Sequence, residues 1–263
     1  YDTQTIVAKG QPVRHGKPMI HELLFETRPG KPYVTHSDGS VELKELRYIQ
    51  SRKKGEPLVR IHSPVVPENG EDIFGGMIIA EPIGGAVDIV PGENTELSPD
   101  GTEIRASIDG NAFLKGRAVC IEEVVNLPRV NYETGNIRFD GSVFITESIE
   151  DGFTVEAGGV IEVGQFVGRV TLIAGRDIHL KSGMNGDHTG TIRAGGSIAA
   201  KYIENARVSC REDLLVQEIL MHTDYVVGGN LLVRGKKGEI LGGNGVVGGS
   251  FWCKQMGNDL EVA

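Results

Sequence analysis

Reactive and bulky side chains are scarce in this chain of 263 residues. It has three cysteines, Cys120, Cys210 and Cys253, with no CxxC pair and a spacing that fits neither a zinc ribbon nor a disulfide framework. So sparse a set suits a reducing compartment, and the expected location is the cytoplasm. Aromatic residues make up only 6%, which disfavours a fold built on bulky helix-packing side chains and favours small, regular core slots. No apolar run approaches the ~20 residues of a membrane span, and no basic-then-apolar segment opens the chain. Direct membrane insertion is therefore not expected. The chain begins at Tyr1 rather than Met and reads as a fragment or a processed form. Positive charge is in deficit, 27 Lys and Arg against 36 Asp and Glu, a net charge of -9. That balance gives no electrostatic footprint for nucleic acid or an anionic membrane.

Familiar catalytic and ligand-binding patterns are missing as well. The seven histidines, His15, His21, His36, His62, His179, His188 and His222, form no HExxH or paired-ligand spacing, so no metal site is expected. No GxSxG elbow occurs. Gly243-Asn244-Gly245-Val246-Val247-Gly248 matches GxGxxG, but a dinucleotide site needs a helix after it and an acidic residue ~20 positions on, and 15 residues follow Gly248. Gly235-Lys236-Lys237-Gly238 lacks the Walker spacing and its Ser or Thr. It reads as a solvated turn that could also hold an anion or an acidic partner. No cofactor is expected, and no catalytic residue is assigned.

What the chain does have is glycine, 37 residues of it, about twice the usual ~7%, together with a short internal repeat. The pattern is apolar, any, small or apolar, two residues usually including Gly, a polar residue, then apolar, any, apolar. It runs as IRFDGSVFI from Ile137, VEAGGVIEV from Val155, LIAGRDIHL from Leu172, IRAGGSIAA from Ile192, VSCREDLLV from Val208 and YVVGGNLLV from Tyr225, with a degenerate copy, GVVGGSFWC, from Gly245. The third positions are Phe139, Ala157, Ala174, Ala194, Cys210, Val227 and Val247, spaced 18, 17, 20, 16, 17 and 20 apart. That period is too short for helical repeats or propeller blades. It fits one coil of a parallel β-helix of about seven coils.

Because strand side chains alternate faces, the repeat assigns its slots. Val143, Ile161, Ile178, Ile198, Leu214, Leu231 and Phe251 point inward, as do Ile145, Val163, Leu180, Ala200, Val216, Val233 and Cys253 two residues on. Phe144, Glu162, His179, Ala199, Leu215, Leu232 and Trp252 point outward between them. The Gly pairs mark a corner where φ > 0 is expected. Ser142, Asp177, Ser197, Asp213, Asn230 and Ser250 form a polar ladder, broken at Val160, whose members bond turn backbone rather than act as catalytic acids. Cys210 and Cys253 read as small buried core residues. The bare ends of such a coil need covers. The first domain is expected to cap the near end, while the far end, close to Ala263, is left to a further segment or another molecule.

The first half reads differently. Residues 1–54 form an N-terminal mixed α/β or irregular segment, with turn signals at Pro12, Arg28-Pro29-Gly30 and Asp38-Gly39 and one short helix or irregular stretch over Val41 to Gln50. Residues 55–128 form a small β barrel or sandwich-like domain, with strands at Leu58 to Ile61, Met77 to Ile79, Ala86 to Val90 and Glu103 to Ala106. The parallel β-helix takes 129–263. The fold class is all-β.

Several motifs carry a family resemblance that covers most of the chain. They are Lys54-Gly55-Glu56-Pro57-Leu58, Gly70-Glu71-Asp72-Ile73-Phe74-Gly75, Pro91-Gly92-Glu93-Asn94, Thr134-Gly135-Asn136-Ile137, Asp151-Gly152-Phe153-Thr154-Val155, Ala200 to Ala206 and Gly235 to Gly243. Together they resemble the flagellar assembly protein A family of bacteria. The resemblance implies a β-rich N-terminal domain followed by a right-handed β-helix. It also implies a cytoplasmic bacterial protein tied to flagellar assembly or to placement at the cell pole.

On these grounds the leading expectation is a non-enzymatic scaffold that captures a cytoplasmic protein partner on its turns, at Lys201, Glu204, His222, Lys236 and Lys237. Self-assembly into a cytoskeletal-type polymer, which would make the chain a homo-oligomer, is the first alternative. The second is a polysaccharide-binding or polysaccharide-cleaving β-helix, for which Glu147, Glu150, Asp151, Glu156 and Glu162 are the available carboxylates.

Overall fold

The structure, a computed structural model, describes residues 8–27, 34–35, 41–42, 44–46, 48–85 and 88–257. The turn signals at Arg28-Pro29-Gly30 and Asp38-Gly39, together with His36, lie outside the described residues. Among those described there is no helix; every regular element is a strand. The chain divides into two units: Tyr1–Phe25, Lys54–Ile108 and Phe113–Ile121 make one, and Glu26–Lys53, Asp109–Ala112 and Glu122–Ala263 the other.

The first unit centres on an antiparallel sheet in the order Ile20–Leu23, Pro57–His62, Glu103–Ala106, Thr95–Leu97. Leu58, Val59, Ile104 and Ala106 are completely buried; Ile104 and Ala106 follow the period-two alternation of a strand, whereas the adjacent Leu58 and Val59 are covered on both faces of theirs. The strand expected over Met77 to Ile79 is Met77–Ile78, paired antiparallel with Gly70–Glu71. From the stretch expected at Ala86 to Val90, only Val90 enters a strand, Val90–Pro91, parallel to Ala118–Glu122; Ala86 and Val87 lie outside the described residues. Pro91 has no N–H to give a ladder, which suits this two-residue edge.

The second unit is a parallel β-solenoid of about seven turns over 124–256. Each coil has three sides. On the first, Val124–Leu127, Ser142–Ile145, Ile161–Val163, 178–180, 198–200, 214–216, Leu231–Val233 and Phe251–Trp252 stack in parallel register. On another, Ile137–Phe139, Thr154–Ala157, Thr171–Ala174, 191–194, 207–210, Asp224–Val227 and Gly245–Val247 do the same. The columns read from the repeat are those of the register: Ile161, Ile178, Ile198, Leu214 and Leu231 are each fully buried. At ~1.5–3 kcal/mol for each buried aliphatic side chain, a single coil is too small to hold itself together, and the stack is the folding unit. The last member of the column differs. Phe251 is in register but 41% exposed, because no described strand lies beyond it.

The remaining side is absent from the repeat as read. Val130, Ile149, Val167, Met184, Ile203, Leu220 and Ile240 form a further buried column, linked coil to coil by single bridges at first and by short strands later. It contributes one buried residue per coil, recurring at nearly the same period as the repeat, but a single apolar residue with no alternating partner beside it does not announce a strand.

One expectation about the turns needs revision. The Gly pairs do not have positive φ; in the solenoid the positive-φ residues lie at other corners, among them Gly152, Asn205, His222 and Gly242. What demands glycine at the paired corner is the close stack. A β-carbon on Gly195 would sit 2.1 Å from the Gly175 carbonyl oxygen, and one on Gly175 would sit 2.2 Å from that of Gly158. Over Val41 to Gln50 there is no helix among the described residues; Val41–Glu42 is a short strand and 44–46 and 48–50 are irregular. This irregular stretch covers the near end of the solenoid, where Tyr48 and Ile49 pack against its core.

Candidate interaction surface

The outer ladders of the solenoid are set by its polar turns. Ser142 Oγ accepts the Val160 backbone N–H at 3.0 Å, and Asp177 Oδ1 accepts that of Ser197 at 2.8 Å. Ser197 Oγ accepts from Asp213 N at 3.3 Å, Asp213 Oδ1 from Asn230 N at 2.7 Å, and Asn230 Oδ1 from Ser250 N at 2.9 Å. Each polar side chain thus holds the equivalent residue of the next coil. The residues singled out as turn formers are turn formers, and Val160, which has no side-chain acceptor, interrupts the series.

The five residues favoured for partner contact fall on two edges. Lys201 lies where the first side turns into the bridged side, 3.9 Å from Glu218. Lys236 and Lys237 project from the equivalent edge two coils on, and both are exposed. Glu204 is half-buried at the other end of the bridged side, where its Oε2 accepts from Asn185 Nδ2 at 3.4 Å. His222 sits at the following corner with φ 45°, stacked on Gly242, where a β-carbon would come within 2.7 Å of His222 Nδ1. Lys201, Lys236 and Lys237 therefore share an edge, and Glu204 and His222 share another.

Most of the carboxylates considered for polysaccharide chemistry are engaged by cations. Arg129 pairs with Glu147 at 2.6 Å, Arg138 with Glu156 at 3.5 Å and Lys181 with Glu162. Asp151 accepts the Arg169 backbone N–H at 2.9 Å and pairs with its guanidinium at 3.1 Å. That backbone donor, opposed in part by desolvation, holds the Asp151 carboxyl below the usual carboxylate range. Among the described residues no group of three or more His, Cys, Asp or Glu converges as a metal site would need. The GxGxxG match is a solenoid strand, Gly245–Val247, followed by a corner. Cys210 is buried in its column, and its thiol is pushed up to about 11 by burial and then by the Asp213 and Glu212 carboxylates. An outer groove of about 480 Å³ runs over Arg193, Arg207, Tyr225, Val226 and Val246.

Two features escaped the sequence reading. Between the last two described coils, Arg234 stacks over the Trp252 ring at 5.2 Å, and Lys254 reaches back under the Lys236 turn. Their separation in the chain hides this grouping; the repeat period, applied to the residues after each copy, would have revealed it. In the first unit, the Gly70–Glu71 and Met77–Ile78 hairpin presents Ile73, Phe74 and Ile79 to solvent, with Phe74 90% exposed. Asp72 Oδ1 braces that tip by accepting from Phe74 N at 2.8 Å and Gly76 N at 2.7 Å.

A β-rich region followed by a long parallel stack, with its polar chemistry on ladders and turns, defines a β-solenoid protein. The model of the Flagellar Assembly Protein A beta solenoid domain matches residues 123–263, and that of the Flagellar Assembly Protein A N-terminal region matches residues 1–117. The chain belongs to the Flagellar Assembly Protein A family. No curated protein and no solved structure matches it. Membership suggests a role related to flagellar assembly, in a family that is not a known enzyme family.

Proposed function

We propose that this protein is a non-enzymatic cytoplasmic scaffold of a bacterium, serving flagellar assembly or its placement at the cell pole. The stacked turn ladder carries this reading. Side-chain acceptors at one corner fix successive coils from Ser142 to Ser250, with one interruption, so outward residues are held at strand spacing, ~4.8 Å per coil. A partner then meets a rigid array with little ordering cost on the scaffold side. Lys201, Glu204, His222, Lys236 and Lys237 are the residues assigned to that contact. The ion-paired state of Glu147, Asp151, Glu156 and Glu162 favours this reading over polysaccharide cleavage. Head-to-tail polymerisation requires two open ends, and the packing of Tyr48 and Ile49 on the first coils disfavours it.

The test is genetic. In a flagellated bacterium carrying the gene, deletion should reduce the number or polar placement of filaments seen by electron microscopy, and the wild-type gene should restore both. A gene carrying Lys201→Glu, Glu204→Lys, His222→Asn, Lys236→Glu and Lys237→Glu should not restore them, although its product accumulates normally. Asn at position 222 tolerates the positive φ. Normal flagella in the deletion strain would overturn the proposal.

A further inference from the structure

We infer that the 234–238 turn, with Trp252 and Lys254, is a docking site for an acidic protein segment that also carries leucine-like side chains. This deepens the interaction reading above and rests on it. The edge between the first and the bridged side is charge-balanced over most of its length. Arg129 meets Glu147 on the next coil, Lys181 meets Glu162 on the preceding coil, and Lys201 meets Glu218 on the next. At the last two described coils this pattern stops. Arg234, Lys236, Lys237 and Lys254 are all exposed, and among the described residues none has a carboxylate within ion-pair distance. Four cations with no carboxylate partner among the described residues stand out at one edge of a chain whose net charge is -9.

The group is built rather than loose. Gly238 takes φ 67°, and the aliphatic stem of Lys254 lies against it; a β-carbon there would meet Lys254 Cγ at 3.0 Å. Lys254 Nζ donates to the Gly235 and Lys236 carbonyls, which fixes the turn from below. Arg234 is held over the Trp252 ring, a cation–π arrangement that leaves its remaining N–H donors free for an incoming carboxylate. Beside these cations runs an apolar column, Leu215, Leu232 and Trp252, stacked in register on the outer face. Leu215 is 40% and Trp252 39% exposed. Upstream on the same column Glu162, His179 and Ala199 separate this stretch from Phe144, so the large apolar side chains at this end, Leu232 and Trp252 on the cation-bearing coils and Leu215 on the coil before, form one continuous stripe.

Charge complementarity selects an acidic occupant, and the adjoining stripe selects one with apolar side chains. A nucleic acid would use the cations but gain little from Leu215 and Leu232. Trp252 is the only tryptophan in the chain, so its fluorescence reports this site without a label. A short synthetic peptide alternating Glu with Leu should shift Trp252 emission to the blue and saturate. Lys236→Glu with Lys237→Glu, an exposed pair whose fold is checked by circular dichroism, should weaken binding by about tenfold or more and flatten its salt dependence. A peptide of Glu and Ser should bind about tenfold more weakly.

Four outcomes would overturn the inference: no emission change, equal binding by the charge-reversed protein, tighter binding of single-stranded DNA than of the peptide, or a self-association that alone accounts for the shift. Peptide binding together with normal flagella in the deletion strain would keep the site and remove the flagellar role. Flagellar loss without peptide binding would do the reverse.

Discussion

Asp213 Oδ1 accepts two hydrogen bonds from Asn230, one from its backbone nitrogen at 2.7 Å and one from its side-chain Nδ2 at 2.9 Å. One carboxylate oxygen therefore fixes both the main chain and the side chain of the next coil. Asn230 in turn uses its Oδ1 to hold Ser250. Removing the acceptor strands a half-buried N–H between two coils. Asp213→Ala should cost about 1–3 kcal/mol, read as a lowered denaturation midpoint, while Asp213→Asn, which keeps an acceptor, should cost less. Equal losses for the two variants would mean that the acceptor is not what matters.

The paired glycines allow a sharper comparison, because steric and dihedral reasons for glycine predict different positions. At Gly195 the backbone is not left-handed, yet an added β-carbon would lie 2.1 Å from the Gly175 oxygen. At Gly55 φ is 82° and nothing lies within 4 Å of an added β-carbon. Gly55→Ala should cost about 1–2 kcal/mol, the left-handed penalty. Gly195→Ala should cost more, on the order of 3 kcal/mol or above, since neither the strand nor the carbonyl can move without breaking the ladder. Chemical denaturation of the two variants in parallel ranks them, and the reverse order would refute the steric account.

This distinction also marks how far the fold could be read from sequence. The inward columns were legible because Ile161, Ile178 and Ile198 recur at a nearly fixed offset, and burial on one face enforces it. The turn ladder was legible for the same reason. The bridged side was not, because Val167 and Met184 each stand as a single buried residue joined by an isolated bridge, without the alternating apolar pair that marks a strand. Nor was the reason for the glycines, since sequence gives residue identity but not the distance between stacked main chains. Of the candidate site, Lys236 and Lys237 were visible as neighbours in the chain. Arg234, Trp252 and Lys254 join them only through the stack, and the exposure of Phe74 depends on where its hairpin projects.

Cys210 links the core to pH. Its thiol titrates near about 11 in the folded protein, raised above the ordinary value of 9.0 first by burial. The unfolded chain releases this proton at lower pH than the folded one, so between the two values the folded state holds more protons and stability falls as pH rises. Below the unfolded value the neutral thiol has no effect. Thermal midpoints should fall more steeply above pH 9 in the wild type than in Cys210→Ala, on the order of 1–2 kcal/mol of differential loss. Native protein should also resist alkylation at Cys210 at mildly alkaline pH, where only the thiolate reacts. Parallel pH profiles for the two proteins would rule out this linkage.

The near end of the solenoid supplies a last test, because its cover is held by few polar contacts. Glu45 receives Asn136 Nδ2 at 2.8 Å and Arg138 at 3.3 Å, and Lys44 Nζ donates to the Gly152 carbonyl at 2.7 Å while lying 4.5 Å over the Phe153 ring. These contacts clamp 44–46 across two coils, and Tyr48 and Ile49 then lie on the core. In a stack of repeats each coil is stabilised by its neighbours, so loosening an end cover should loosen the coils beneath it and leave distant ones unchanged. Glu45→Ala should speed hydrogen exchange in Ile137–Phe139 and Thr154–Ala157, with exchange in Leu231–Val233 unaffected. Adding Lys44→Ala should extend the effect, because it removes the second anchor. If protection at Ile137–Phe139 stayed at the wild-type level in the double variant, the clamp would be incidental, and Tyr48 and Ile49 would be holding the cover by burial alone.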